Sequence, residues 1–213
     1  MAARPLILGH RGLPAAAPEN TLPSLQAALD AGCDGVEIDV RLATNGGPVL
    51  SHDPPPHGGA GCPSLADALS LVGAAACAVE IKGKGEMAAL ATRAACGVLD
   101  AEVAPGPRWI LAFDPAALIT AREAAPDVGR VLNVTNEVDA AVAKACGATI
   151  VDLERRGVSE HQVASLRRAG LGVWAWVVDD SHEAMRFAAP PLSLDALITE
   201  DPVALRAALL SAS

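Results

Sequence analysis

Eight short apolar runs with strand character alternate with eight Ala/Leu-rich stretches of helical character along the whole chain. The predicted strands are 5–9, 35–40, 78–81, 109–112, 129–133, 149–152, 172–178 and 196–199. The predicted helices are 21–31, 64–71, 86–99, 115–124, 137–145, 159–169, 181–188 and 202–210. A ninth short strand, 47–50, is expected to pair with the second through the Asn45-Gly46 turn. Alternating βα units imply a parallel sheet, and eight of them suggest closure into an α/β TIM (β/α)8 barrel. An open doubly wound sheet needs fewer strands and often carries a glycine-rich phosphate loop after the first. Here the first run leads into Gly9-His10-Arg11-Gly12, which is not GxGxxG. The chain has 213 residues and is 51% hydrophobic, enough for one well-cored domain over 1–213. With three Trp, two Phe and no Tyr, the core is expected to consist mainly of Ala, Leu and Val.

The formal charge is −9 and no Lys/Arg cluster occurs, so the phosphate-facing cations that a grip on nucleic acid requires are missing from the pattern. No strongly amphipathic basic helix marks a stable membrane association. The N-terminal run Met1–Gly9 reads neither as a signal peptide nor as a span. Five cysteines, an odd number without CxxC spacing, argue against a disulfide framework and against zinc. A reducing, cytoplasmic setting is the expectation. Oligomeric state leaves no mark in the sequence.

In a barrel the chemistry sits where strands end. Glu37-Ile38-Asp39 places two carboxylates on one face of a strand, because residues i and i+2 point the same way. Glu80 repeats the theme in Val79-Glu80-Ile81-Lys82. Carboxylates set side by side repel unless a proton or cation separates them, and three from neighbouring strands make an oxygen site for one Mg²⁺ or Ca²⁺. Taken singly, each could instead be paired with Arg41, Lys82 or another cation. His10 and His52 both follow apolar runs, and a pair of imidazoles offers a base and an acid near neutrality. A lone histidine there would more often be structural, the reading given to His57, His161 and His182. Arg11 and Lys82 bring positive charge beside the carboxylates, either for a phosphoryl group or as ordinary ion pairs.

The order and spacing of Gly9-His10-Arg11-Gly12, Pro18-Glu19-Asn20-Thr21, Gly35-Val36-Glu37-Ile38-Asp39-Val40, His52-Asp53 and Glu80-Ile81-Lys82 resemble the glycerophosphodiester phosphodiesterase family. Phe113-Asp114, Trp176 and Leu197-Ile198-Thr199 agree more weakly. The resemblance implies a TIM-barrel enzyme that uses Ca²⁺ or Mg²⁺ to hydrolyse glycerophosphodiesters to glycerol 3-phosphate and an alcohol. It implies Glu37, Asp39 and Glu80 as metal ligands and His10 and His52 as the acid/base pair. Arg11 and Lys82 become phosphate contacts, and Trp176 an apolar wall for glycerol, or simply packing at the mouth. Glu19 and Asn20 would fix the first loop, and Thr21 is placed to cap a helix.

Two departures stand out. Family members usually carry a capping insertion between the His-Asp motif and the third strand, whereas Pro54–Pro63 is only ten residues. Its prolines predict a stiff start and its glycines a mobile end, leaving the mouth open. Glu200-Asp201 follows Thr199 where the family more often has a single Asp. The competing readings are a lysophospholipase D-like or other phosphodiesterase, a Schiff-base lyase built on Lys82, and a barrel that only binds phosphate esters. Carboxylates beside Lys82 would keep it protonated and make it a poor nucleophile.

Overall fold

The computed structural model describes residues 4–101 and 106–211, so Met1, Ala2 and Ala3 of the N-terminal run fall outside it. Strands β1 (Leu6–His10), β2 (Gly35–Leu42), β4 (Ala76–Ile81), β5 (Arg108–Ala112), β6 (Gly129–Val134), β7 (Ile150–Glu154), β8 (Gly172–Trp176) and β9 (Ala196–Thr199) pair in parallel. The β1–β2 pairing closes the ring, and the fold is a (β/α)8 barrel. The short strand β3 (Pro48–Leu50) lies outside the ring, antiparallel to β2. Its turn is the expected one: Gly46 adopts φ 82, and Asn45 Oδ1 accepts from Gly47 N at 2.9 Å.

Helices α1 (Leu22–Asp30), α2 (Leu65–Val72), α3 (Gly85–Ala101), α4 (Pro115–Ala124), α5 (Ala140–Ala145), α6 (Glu160–Arg168), α7 (Ser181–Ala188) and α8 (Pro202–Ser211) surround the ring. Several begin at side-chain caps written into the sequence. Thr21 accepts from Ser24 N, Ser64 from Asp67 N, and Ser159 from Gln162 N. Helix α5 starts three residues later than the pattern predicts, because the Asp139 carboxylate captures Ala141 N and fixes the first turn there. No helix among the described residues is long and apolar enough to cross a membrane.

Strand parity divides the core. Val36, Ile38 and Val40 of β2 face the helical layer with Ile7, Val79, Ile110, Val151 and Val173. The interior is filled by Leu8, Ala76, Ala78, Leu111, Val131, Trp174, Ala196 and Ile198. Composition predicts a core mainly of Ala, Leu and Val, and to these the barrel interior adds Trp109 and Trp174, which meet edge to face with centroids 5.0 Å apart. Alanines on β4 and β9 leave the room that two indoles need. This apolar floor stops below Glu37, so the polar inward positions all lie towards the C-terminal mouth.

The 54–63 loop lies against the body of the barrel. It makes a 3-10 turn, Pro56–Gly59, packed on the β2–β3 hairpin, with Gly58 O accepting from Thr44 N at 3.0 Å. A Cβ on Gly59 would stand 2.6 Å from the Cβ of Ala43, so that glycine serves close approach.

Candidate active site

Glu37 and Asp39 project from β2 into the mouth, and Glu80 projects beside them from β4, with Asp39 and Glu80 in register. Glu37 is 1% exposed and Asp39 0%. One oxygen from each of the three carboxylates lies within 4.8 Å of the others. Two cations sit among them. Lys82 Nζ is 2.9 Å from Asp39 Oδ1 and also holds Glu80 Oε1. Arg11 Nε is 3.0 Å from Asp39 Oδ2, and Arg11 Nη1 donates to Glu19 Oε2 at 2.8 Å. Asn20 clamps Asp39 twice: its Nδ2 donates to Oδ2 at 2.8 Å, and its Oδ1 accepts from Asp39 N at 3.0 Å. Glu19 and Asn20 therefore do hold the first loop, and Asn20 also aims a carboxylate.

Three buried carboxylates face two cations, the Arg11 guanidinium and the Lys82 ammonium, and the shortfall lands on Glu37. Its Oε2 accepts from Arg11 N at 3.1 Å, while Oε1 has no partner. Burial, then the charges of Asp39 and Glu80, push Glu37 well above the ordinary carboxylate range. Glu80 is raised chiefly by burial, with Lys82 opposing. On Asp39 burial is outweighed by Lys82 and Arg11, so it stays low. An all-oxygen cluster in which Glu37 Oε1 is buried with neither a hydrogen bond nor an ion pair suits a hard divalent cation.

His10 ends β1. Its Nδ1 lies 2.9 Å from Glu200 Oε1, and the ring is 14% exposed. Burial lowers its pKa and the Glu200 contact only partly offsets this, which favours the neutral ring. If Nδ1 carries the proton given to Glu200, Nε2 keeps a free lone pair. Glu200 is itself fixed by Asp179, whose Oδ1 accepts from Glu200 N at 2.8 Å and from Thr199 Oγ1 at 2.9 Å. His52 stands beyond β3. Its Nδ1 is 3.0 Å from Asp53 Oδ1, and its backbone oxygen accepts from Arg41 Nε at 2.7 Å. Trp176, at the end of β8, meets Phe113 edge to face at 5.5 Å and donates from Nε1 to Asp152 O at 3.3 Å.

The carboxylates, Arg11 and Lys82 thus form one contiguous cluster, and His10 joins it from β1. His52 lies at the rim, and Trp176 stands across the mouth. Sequence reasoning missed Glu200, although the unusual Glu200-Asp201 pair after a strand marked the place. It also missed Asn133 and Asp152, neighbours in the β6–β7 register. Both are buried; Asn133 Oδ1 and both Asp152 oxygens have no partner. An inward carboxylate within Ile150-Val151-Asp152-Leu153 was the available signal.

Burial, reinforced by the charge on Glu80, pushes Asp152 well above the usual carboxylate range. A native state that keeps a proton the unfolded chain releases loses stability as pH rises from the unfolded value towards the folded one. Asp152→Asn should therefore stabilise the protein by about 1–3 kcal/mol at pH 7. At about 2–4 °C per kcal/mol this is visible in a melting curve, and the gain should vanish near pH 3. A lowered Tm at pH 7 would mean that the carboxylate is ionised and has a partner.

The sequence profile of the Glycerophosphoryl diester phosphodiesterase family matches residues 10–57. Among curated relatives, glycerophosphodiester phosphodiesterase domain-containing protein 5 of Gallus gallus is 52% identical over 50 residues, covering 24% of this chain and 8% of that protein. Probable glycerophosphodiester phosphodiesterase 1 of Mycobacterium tuberculosis is 49% identical over 53 residues, covering 25% of this chain and 19% of that protein. The matched stretch is thus a small part of these relatives' length. Among solved structures, a phosphodiesterase of Oleispira antarctica in complex with its product sn-glycerol-3-phosphate superposes with TM-score 0.85 at 24% identity, covering 97% of each chain. A glycerophosphodiester phosphodiesterase of Parabacteroides distasonis gives 0.81 at 18% identity over the whole of both chains.

Proposed function

We propose that this chain, a member of the glycerophosphoryl diester phosphodiesterase family by residues 10–57 and by its barrel, hydrolyses glycerophosphodiesters to glycerol 3-phosphate and an alcohol. The observation that carries the reading is the buried cluster Glu37, Asp39 and Glu80, with its orphaned oxygen, set among Arg11 and Lys82 at the mouth. Those three carboxylates would hold one Mg²⁺ or Ca²⁺, which supplies charge neutralisation to the phosphoryl group. Arg11 and Lys82 add to that neutralisation as donors to phosphate oxygens.

The proton work falls to the histidines. His10, neutral and held through Nδ1 by Glu200, takes a proton from the attacking hydroxyl, either the glycerol 2-hydroxyl or water. A P–O bond forms as the bond to the departing alcohol breaks: attack by water gives glycerol 3-phosphate directly, whereas attack by the 2-hydroxyl gives a cyclic phosphate, which water then opens by forming a new P–O bond as the bond to the 2-oxygen breaks and that oxygen regains a proton. His52, at the rim beside the 54–63 loop, gives its proton to that alkoxide. Trp176, braced by Phe113, walls the glycerol side. The barrel domain assigned over 1–213 would act in the cytoplasm on small-molecule diesters, with neither nucleic acid nor a stable membrane attachment as partner. The net charge of −9, with no run of Lys and Arg along the sequence, supports leaving nucleic acid out.

Chelator-treated protein should release sn-glycerol 3-phosphate from glycerophosphocholine only after Mg²⁺ or Ca²⁺ is restored. Binding without turnover, across a panel of headgroups and with either ion, would mean a phosphate-ester-binding barrel. Choline release from lysophosphatidylcholine in preference to the deacylated diester would favour the lysophospholipase D reading.

A further inference from the structure

Beside the carboxylate cluster, between the start of the 54–63 loop and the first turn of α3, lies a groove of about 380 Å³ lined by Arg41, Pro54, Pro55, Lys82, Lys84 and Met87, among others. No Asp or Glu is among its lining residues, in a chain of net charge −9. Lys82 has two carboxylate partners, but its companions do not. The Arg41 guanidinium makes a single hydrogen bond, to the backbone oxygen of His52, and neither Arg41 nor Lys84 has a carboxylate within ion-pair distance among the described residues.

Two uncompensated cations therefore share one hollow with the lysine that touches the cluster. In the ring order β1-β2-β4-β5-β6-β7-β8-β9, β4 stands opposite β8. The groove thus opens beyond Lys82 on the side of the mouth facing away from Trp176. A diester with its glycerol against Trp176 and its phosphate at Glu37, Asp39 and Glu80 would extend its other ester oxygen towards this side. His52, the proposed acid for the departing oxygen, meets the groove only through its backbone oxygen, which accepts from Arg41 Nε, while the residue itself lines the hollow on the other side of the loop.

We propose that the groove seats the leaving alcohol and selects alcohols bearing an anionic group, such as a phosphorylated polyol. This rests on the phosphodiesterase reading given above. About 380 Å³ matches a small polar headgroup. The competing hollow, about 300 Å³ on the other side of the loop, contains Glu19, His52 and Asp53. Its two carboxylates are already engaged, Glu19 by Arg11 and Asp53 by His52, so it offers a cationic headgroup little unpaired charge.

Glycerophosphoinositol 4-phosphate and glycerophosphoinositol form the test pair, since they differ by one phosphate on the leaving alcohol. With Mg²⁺ saturating and at low ionic strength, the wild-type kcat/KM ratio should favour the phosphorylated substrate by about tenfold or more. The preference should shrink in 0.5 M salt, because exposed charges are screened. Lys84→Glu should bring the ratio to about one or below. Lys84 is the position to change, because Arg41 also supports the His52 backbone. A wild-type ratio near one, or a ratio unmoved by Lys84→Glu, would sink the subsite and leave the phosphodiesterase reading standing. A clear preference for glycerophosphocholine over both would also sink it, by assigning the departing alcohol to the other hollow. No turnover of any of the three substrates would overturn the phosphodiesterase reading, and the subsite with it.

Discussion

Glu37→Gln should cost turnover at least about 10²-fold, more than the loss of an outer partner of a metal ligand does, and yet raise the thermal stability of the metal-free protein. The two effects share a cause. Glu37 is buried against Asp39 and Glu80, with one oxygen unpartnered, so its charge is resisted by desolvation and by its neighbours. A glutamine of the same shape can still accept from Arg11 N and can donate an amide proton to a neighbouring carboxylate. The direction with pH follows from the raised folded value. Glu37 stabilises the native state only near and below its unfolded value of about 4.5, and this is lost as pH rises towards the folded value. The advantage of Gln should therefore be small near pH 4 and largest at pH 7–8, about 1–3 kcal/mol. Mg²⁺ at about 100 times its Kd should stabilise the wild type by about 2.7 kcal/mol and do far less for the variant. A variant less stable than wild type in chelator, at every pH, would show that Glu37 is a structural partner and not a ligand waiting for a cation.

The scaffold was legible because each unit announces itself locally. Val36, Ile38 and Val40 alternate with Glu37 and Asp39, so β2 declares which face meets helices and which meets the mouth. Thr21, Ser64 and Ser159 stand where helices must start and do cap them. What failed did so for one local and one tertiary reason. Glu137 and Val138 have helical character, but the Asp139 side chain reaches Ala141 N and starts α5 at Ala140. The glycines at 58 and 59 read as mobile because their use, letting the chain lie against Thr44 and Ala43, depends on a hairpin that the local sequence does not contain.

The site divides along the same line. Residues joined by strand periodicity, such as Glu37 with Asp39, could be paired on sight. Those joined between neighbouring strands far apart in sequence could not. Asn20 grips Asp39 across a sequence separation of 19, and Glu200 reaches His10 across 190. Neither distance leaves a periodic trace. Lys82 was expected beside the carboxylates, and the structure adds that it bridges two of them. Asp152 is the opposite case: visible as an acid in an apolar run, it becomes meaningful only once its two oxygens prove to have no partner.

The His10–Glu200 contact leads to the second large effect. His10→Ala and His52→Ala should each lower kcat by roughly 10²-fold or more with the metal saturating, because each removes a proton-transfer partner. Melting temperatures should move little, since both rings lie at strand ends outside the apolar core. Glu200 touches His10 at 51% exposure of its own side chain, so a purely structural role would predict a small, additive effect. A positioning role predicts a different pattern. Glu200→Gln keeps an acceptor but loses the charge that favours the imidazolium, so the pKa of His10 should fall further below its ordinary value. The acid limb of the kcat/KM profile should then move to lower pH, while the plateau drops because the base is weaker. In a His10→Ala background the same substitution should have almost no further effect on kcat, since the group through which it acts is gone. Additive losses in the double variant, or an acid limb that stays in place, would leave Glu200 as a surface residue that happens to face a histidine.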